Sequence, residues 1–382
     1  MRRLLWDVSG AFGDIGVLFP IAVALIAKNG FNPTALFLTA GLFYAASAYY
    51  FKVTMPVQPL KAMSAIAVTA GLGVGVINAA GITMGAILLV LAATGLSARL
   101  GVLFPVSVIR GIQLGLGLML VKASAGLVGA DPAAAAMAGA MLVLCVFVLK
   151  KIPPLVPVLA LGVGVSIVRV EPAPLGPLAL TAGLPALDDF VAGFPALVLP
   201  QLALTFGNAI VATEATGRLL YGRGAERLGL RSIPLSMGIA NVLSGLVGGA
   251  PMCHGSGGLT AHRKFGAATA RSGYIIGFTL VGLGVFFGGS ALSVISAFPP
   301  GILGVLLFYV GLQHSLFVRD VLSDRAAAFV ALTVAAAGLA TGNLSIGFMA
   351  GLTAHYGYWA ISRKPAHPRG GFQQGGGDVR SA

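Results

Sequence analysis

The chain has 382 residues, 57% of them hydrophobic and only 9% charged, with a mean hydropathy of +0.94. Such a composition excludes a soluble globular domain and leaves an integral membrane protein. The formal net charge of +13 would suit a nucleic-acid binder, but the basic residues sit at the ends of apolar stretches, so no nucleic-acid partner is expected.

Apolar stretches long enough to cross a hydrocarbon core of about 30 Å recur from end to end, so one membrane domain, 1–362, is expected. The opening Met1-Arg2-Arg3 leads into a span containing Asp14 rather than into a short apolar core with a small-residue cleavage site, which argues against a signal peptide. Hydropathy, punctuated by Gly, Pro and charge, predicts spans at 8–27, 33–51, 53–74, 77–97, 102–121, 134–149 and 154–168. A second series follows at 193–216, 232–248, 250–270, 272–290, 299–318, 325–340 and 342–361. The expected fold is therefore all-α and polytopic, with 14 transmembrane segments arranged seven plus seven. Residues 363–382, with Gly370, Gly371 and Gly375-Gly376-Gly377, read as a disordered cytoplasmic tail.

With the amino terminus in the cytoplasm, Arg2, Arg3, Lys52, Arg99, Lys150 and Lys151 fall inside, as do Arg218, Arg223, Arg227, Arg231, Arg263, Lys264, Arg319 and the basic residues of the tail. Lys28, Lys122 and Arg169 fall outside. The positive-inside rule predicts this asymmetry, so both termini are expected on the cytoplasmic side of an inner or plasma membrane. Because each half holds an odd number of spans, the second enters the bilayer upside down, giving an inverted repeat of the kind many secondary transporters use. The halves also echo each other: span 5 opens with "FPVSVIRGIQLGLGL" and span 12 with "FPPGILGVLLFYVGL".

Spans 3 and 10 are interrupted. The first opens with "VTMPVQPLKAMSA", the second with "GGAPMCHGSGGLTA". Five or six extended residues cover about 15–20 Å, enough to reach the bilayer midplane from either face. Pro59 suits the first turn of the following helix, and Gly255-Ser256-Gly257-Gly258 exposes backbone N–H groups at the start of the other. Extended backbone at that depth is tolerated where it lines a protein cavity, and two facing helix amino termini offer roughly one positive charge. Lys61 adds a cation there. Gln58, Lys61, His254 and the backbone of Gly255, Ser256, Gly257 and Gly258 are therefore the expected anion ligands. Lys61 could instead pair with Asp14 or Glu214, His254 could be a neutral, hydrogen-bonded histidine, and "GSGG" could serve helix packing. Asp14 and Glu214 are rare carboxylates within apolar spans and stand as candidates for proton coupling, while Arg110 is a candidate for tying a gate to the core or guiding anions. Cys145 and Cys253 belong to no Cys-x-x-Cys pair or Cys/His cluster, so neither a metal nor a cofactor is expected. Cys253-His254 lacks a third orienting group, which leaves an enzyme the weakest reading.

The stretches "SGAFGDIGVLFPIAVAL", "MPVQPLKAMSAIAV", "FPVSVIRGIQLGLGL", "LALTFGNAIVAT" and "GGAPMCHGSGGLTAHRKFGA" resemble the molybdate transporter family, relatives of the SulP sulfate permeases. The resemblance implies a SulP-like and uracil-permease-like 7+7 inverted repeat without a STAS domain. It implies a transport core at 1–97 and 192–290, a gate at 98–191 and 291–362, and an anion held between spans 3 and 10. The expected function is secondary active uptake of a tetrahedral oxyanion, molybdate first and sulfate next, with a coupling proton, the lipid bilayer and a second copy of the chain as partners. A proton-coupled nucleobase permease of the same fold and an anion channel are the alternatives; the first is weakened because no carboxylate lies between Gly248 and Arg271.

Overall fold

A computed structural model describes residues 2–97, 103–149, 154–170, 175–267 and 269–362. The expected tail at 363–382, together with Arg99, Lys150 and Lys151 of the charge asymmetry, lies outside them. Among the described residues seven helical stretches, some of them interrupted, are each long and apolar enough to cross a membrane: Trp6–Asn29, Pro33–Phe51, Val74–Thr94, Val106–Ala130, Leu187–Ala225, Ala270–Ser296 and Pro300–Val321. The described segments complete fourteen spans in chain order. Span 1 comprises Arg2–Ala11 and Ile15–Asn29, span 2 Pro33–Phe51, span 3 a strand β1 (Gln58–Pro59) and the half-helix Lys61–Ala70, and span 4 Val74–Thr94. Spans 5 to 7 are Val106–Ala130, Pro132–Phe147 and Leu155–Arg169. Span 8 covers 187–221, span 9 is Ser232–Leu246, and span 10 is a strand β2 (Met252–Cys253) with the half-helix Ser256–Lys264. Spans 11 to 14 are Ala270–Ser296, Pro300–Leu316, Arg325–Thr341 and Leu344–Ser362.

Caps account for several boundaries. Asn32 accepts from the Ala35 N–H at 3.2 Å to start span 2, Asp131 from that of Ala134 at 3.2 Å to start span 6, and Asp324 from those of Ala326 and Ala327 to start span 13. Two departures from the expected spans stand out. Span 1 is not one helix but breaks at Phe12-Gly13-Asp14, where it crosses the end of span 10; a Cβ on Gly13 would stand 2.8 Å from the Ala261 carbonyl oxygen. Span 8 is longer than expected and contains two π-helical segments, Phe194–Val198 and Thr205–Val211, which sequence periodicity does not reveal.

Helix packing repeats with a shift of seven spans. Span 2 lies along span 11 and span 4 along span 9, so adding seven to one pair gives the other; span 5 packs on span 12 and maps onto its own pair. Glycines make each crossing close. A Cβ at Gly41 would come within 2.5 Å of the Gly277 carbonyl oxygen, and one at Gly277 within 2.8 Å of that of Gly41. Gly85 and Gly238 face each other in the same reciprocal way at 2.9 and 3.0 Å, and Gly117 and Gly311 do so between spans 5 and 12. Small residues at these crossings let helix backbones approach in a medium where apolar burial alone gives little drive to associate.

Candidate functional site at the facing half-helices

The two broken spans meet through backbone hydrogen bonding. β1 pairs antiparallel with β2, Gln58 opposite Cys253 and Pro59 opposite Met252, and Leu60 N–H donates to the Pro251 carbonyl at 2.9 Å. Pro59 therefore lies in the strand rather than in the first helical turn, and the half-helix begins at Lys61. The outer edge of β2 is held by Asn241 of span 9, whose side chain donates to the Met252 carbonyl at 2.8 Å and accepts from its N–H at 2.7 Å. Extended backbone deep in a membrane protein needs such partners for every polar group.

His254 belongs to the same scaffold. Its Nδ1 donates to the Pro56 carbonyl at 2.8 Å, its Nε2 lies 3.1 Å from Ser236 Oγ, and the ring packs against Phe43 and Phe51. Because a carbonyl only accepts, Nδ1 carries the hydrogen and a neutral ring takes the Ser236 hydroxyl at Nε2. Both ring nitrogens are thus occupied by protein, which corrects the expectation that His254 presents one to the anion: it fastens the two broken spans together.

What converges at the helix ends is a polar cluster with Gly255 at its centre. A Cβ on Gly255 would lie 3.1 Å from Gln58 Oε1, 3.5 Å from Lys61 Nζ and 3.7 Å from Asn208 Nδ2. Gln58 Nε2 donates to both oxygens of Asp14 at 2.5 Å. Gly258 rests against that pair, since a Cβ there would stand 2.5 Å from Asp14 Oδ2 and 2.8 Å from Gln58 Nε2. Ser256, the first residue of the span 10 half-helix, donates its hydroxyl to Asn208 Oδ1 at 2.9 Å, so the Asn208 amide is oriented with its NH2 toward Gly255. Asn208 sits in the second π-helical segment of span 8, and π-bulges of this kind re-aim side chains at functional sites. Gln201, in the α-helical stretch Leu199–Leu204 between the two π segments, accepts from Met63 N–H at 3.1 Å and steadies the span 3 half-helix. Asp14, Gln58 and His254 are buried, Lys61 and Ser256 half-buried, and Gly257 exposed with open space beside it.

Two residues expected to serve in coupling or gating, Glu214 and Arg110, lie elsewhere. Glu214 is not a solitary carboxylate inside an apolar span: it pairs with Arg218 one turn on, at 2.7 Å, near the end of span 8. Arg110 does not reach the cluster either; it pairs with Asp320 at 2.5 Å, donates to Gln113 Oε1 at 2.9 Å and lies over the Phe317 ring, contacts within span 5 and with the turn after span 12. Asn208, Gln201 and Asn241 were missed in the sequence because single amide residues in apolar spans carry no signal until their partners are in place. Among the described residues no group of His, Cys, Asp and Glu could hold a metal ion.

On the other side of Lys61 a small cavity separates the half-helix from its neighbours, lined by Lys61 and Ser64, by Leu116 of span 5, and by Leu307 and His314 of span 12. Its free volume is about 10 Å³, room for about one water.

A family profile described as "Molybdate transporter of MFS superfamily" matches residues 7–120 and 193–313, stretches that contain both broken spans and the whole polar cluster. The chain belongs to this molybdate transporter family. Molybdate transporter 2 of Arabidopsis thaliana is 27% identical over 401 residues, covering 91% of this chain and 85% of its own. Molybdate transporter 1 of Chlamydomonas reinhardtii is 26% identical over 471 residues, covering 92% and 91%. Among solved structures, the transmembrane domain of the cyanobacterial bicarbonate transporter BicA aligns with a TM-score of 0.63 at 18% identity, over 93% of this chain and 98% of that one. The murine Solute Carrier 26 family member A9 anion transporter, in its inward-facing state, aligns at 0.67 and 13% identity over 94% and 68%. These likenesses show a shared fold for the multi-pass membrane domain, and family and fold together support anion transport.

Proposed function

We propose that the chain is a secondary active transporter that takes up a tetrahedral oxyanion, molybdate, by alternating access, with the anion bound between the half-helices of spans 3 and 10. The observation that carries this reading is the convergence of Lys61, the Asn208 amide and the amino end of the span 10 half-helix around Gly255. The N–H groups of Ser256, Gly257 and Gly258 have no acceptor inside their own helix, and the helix dipole adds partial positive charge where they point. An anion there is met by a cation, an oriented amide donor and free N–H groups at once. A neutral nucleobase would leave Lys61 without a counter-charge.

In this reading spans 1–4 and 8–11 form the core, and spans 5–7 and 12–14 the gate. Gly257 opens onto free space, whereas the side of Lys61 that faces Leu116, Leu307 and His314 has room for one water only. With both termini in the cytoplasm, the open side is cytoplasmic and the sealed side external, so the conformation is inward-facing. Asp14, buried against Gln58, carries the coupling proton.

Reconstitution into proteoliposomes tests the proposal directly. Saturable, concentrative molybdate uptake driven by an imposed proton gradient and competed by tungstate is the expected result. Uptake of uracil with no competition by molybdate would make the protein a nucleobase permease, and unsaturable downhill flux would make it a channel.

A further inference from the structure

Gln58 presents the wrong end of its amide to an anion. Its Nε2 is committed to Asp14, while its Oε1, fully buried, finds no hydrogen-bond partner among the described residues and faces Gly255 and Lys61. A bare carbonyl oxygen beside a ligand that can only accept hydrogen bonds is repulsive, and leaving it unpaired costs about 1–3 kcal/mol. The orientation follows from the chemistry of Asp14. An ionised carboxylate is acceptor-only and must take the amide NH2; a protonated carboxyl has an O–H to give and can hold the amide through its oxygen instead. The last torsion of a glutamine side chain is broad and roughly two-fold, so the exchange needs a half-turn of one bond.

We infer that Gln58 is the positioning residue that links the anion to the proton: a proton taken up on Asp14 turns the Gln58 amide over, and its NH2 then faces the oxyanion. The inference rests on the anion site proposed above. In the turned state the Asp14 O–H donates to Gln58 Oε1, the buried orphan acceptor gains its partner, and the site gains a donor. No covalent bond other than O–H changes, and the proton leaves Asp14 when the amide turns back. A bound anion and an ionised Asp14 also repel each other, so anion and proton favour each other's presence. Of the titratable groups around Asp14, the Lys61 ammonium of span 3 acts on it, while Tyr44 of span 2 and Cys253 of β2 feel its charge; the Tyr44 hydroxyl lies 3.2 Å from Nε2 of His262, whose Nδ1 donates to the Gly10 carbonyl at 2.8 Å. No ion pair within 4 Å joins Lys61 to Asp14, so the ammonium stays available to the anion.

The test is molybdate affinity, measured by calorimetry on the purified full-length chain in lipid nanodiscs between about pH 6.5 and pH 8.5. The parent should weaken as pH rises, approaching about tenfold per pH unit where one proton is bound per anion. Asp14→Asn, a neutral side chain that donates to Gln58 Oε1 at every pH, should bind with the parent's low-pH affinity and a flat profile. Gln58→Met, which keeps the volume and removes the amide, should bind at least tenfold more weakly at low pH and lose most of the slope although Asp14 is intact, keeping only the part that direct repulsion between the anion and ionised Asp14 supplies. The inference is overturned if Gln58→Met keeps the parent's slope, if the parent has none, or if folded Asp14→Asn binds like the parent at high pH. Should Asp14→Asn fail to fold, the parent and Gln58→Met profiles decide alone. Lys61→Met separates the two levels: unchanged binding in that variant sinks the anion site itself, whereas weakened binding alongside an undiminished slope in Gln58→Met sinks only the amide exchange.

Discussion

Replacing Lys61 by Met removes one charge while keeping most of the side-chain length, and the structure sets the size of the effect. Lys61 Nζ would lie 3.5 Å from a Cβ on Gly255, so an anion seated at that helix end is about 4 Å from the ammonium. At an effective dielectric constant of about 20 the Coulomb attraction at that distance is about 4 kcal/mol per pair of unit charges. Much of it is offset by stripping water from both partners, and truncation of hydrogen bonds to charged groups costs about 1.5–3 kcal/mol in practice. The expected loss is therefore about 2–3 kcal/mol, or roughly 30- to 150-fold in Kd. The variant should keep its thermal stability, because the ammonium makes no ion pair within 4 Å among the described residues and the stem packs as a methionine would. Calorimetric titration with molybdate, using Lys52→Met at the exposed end of span 2 as the control, measures the difference. A change under threefold in a folded Lys61→Met would refute the electrostatic argument and place the anion elsewhere.

Four further outcomes are expected. Gly258→Ala should lower stability by about 1–3 kcal/mol, because its Cβ would meet Asp14 Oδ2 and the Pro56 Cβ at 2.5 and 2.6 Å, whereas Gly257→Ala, next to open space, should leave the thermal midpoint unchanged. Asn241→Leu strips both hydrogen bonds from Met252 and should cost about 2–4 kcal/mol, read as a lower midpoint in a thermal unfolding scan. Gly277→Leu should disrupt the span 2–span 11 crossing and abolish the folded peak in size-exclusion chromatography, while Gly282→Leu, whose Cβ position has only a Phe286 ring carbon nearby at 3.9 Å, should not. A cysteine at Asp188 should react with an impermeant reagent from outside and one at Arg223 should be protected, against a quiet background because both native cysteines are buried; the reverse pattern rejects the orientation.

The interrupted spans were legible because Pro56, Pro59, Pro251 and the glycines at 255, 257 and 258 punctuate otherwise apolar sequence, and Lys61 because a cation in such a setting is rare. Other features were not, for reasons that are physical. His254 follows Cys253 in an extended segment, so its side chain turns to the face opposite its neighbour's, toward Phe43, Phe51 and Ser236, and which face that is depends on a strand pairing nearly two hundred residues apart in sequence. Arg110 found Asp320, a partner that hydropathy cannot assign to it. Glu214 looked intramembrane because span 8 ends in further apolar residues, yet Arg218 one turn on neutralises it. Asn208 reaches the cluster only because a π-helical segment rotates it there, and nothing in the composition of "TFGNAIV" marks that extra residue per turn.

The distribution of polar contacts bears on how such a site could change sides. Hydrogen bonds knit the core spans to one another: Asp14 to Gln58, Met63 to Gln201, Asn208 to Ser256, His262 to Tyr44 and Gly10, Asp7 to Thr269 and Ser272. The loop 175–186 is bonded to the same spans, since Leu178 bonds Thr34, Gly176 bonds Phe286 and Gly183 bonds Leu246. Toward spans 5–7 and 12–14 the contacts are mostly apolar, with a hydrogen bond across, from the Ser345 hydroxyl to the Pro195 carbonyl. Phe104 stacks on Phe206 with ring centroids 4.8 Å apart, Ile109 fills the space beside Gly207, and Val108, Ile112 and Ala203 pack in one apolar cluster with Val330, Val334 and Phe348. Apolar contact is non-directional, so one such surface can slide over another without a buried polar group losing its partner midway, while a hydrogen-bonded surface cannot. Under the transport cycle proposed above, spans 1–4 and 8–11 moving as one body would carry Lys61, Gln58 and Asn208 together, and a path would open at the water-sized cavity beside His314. Crosslinking tests this step: a disulfide between cysteines introduced at Ile109 and Gly207 should block molybdate uptake and leave binding from the open side intact, and uptake that survives the crosslink would mean that the two units do not move past each other there.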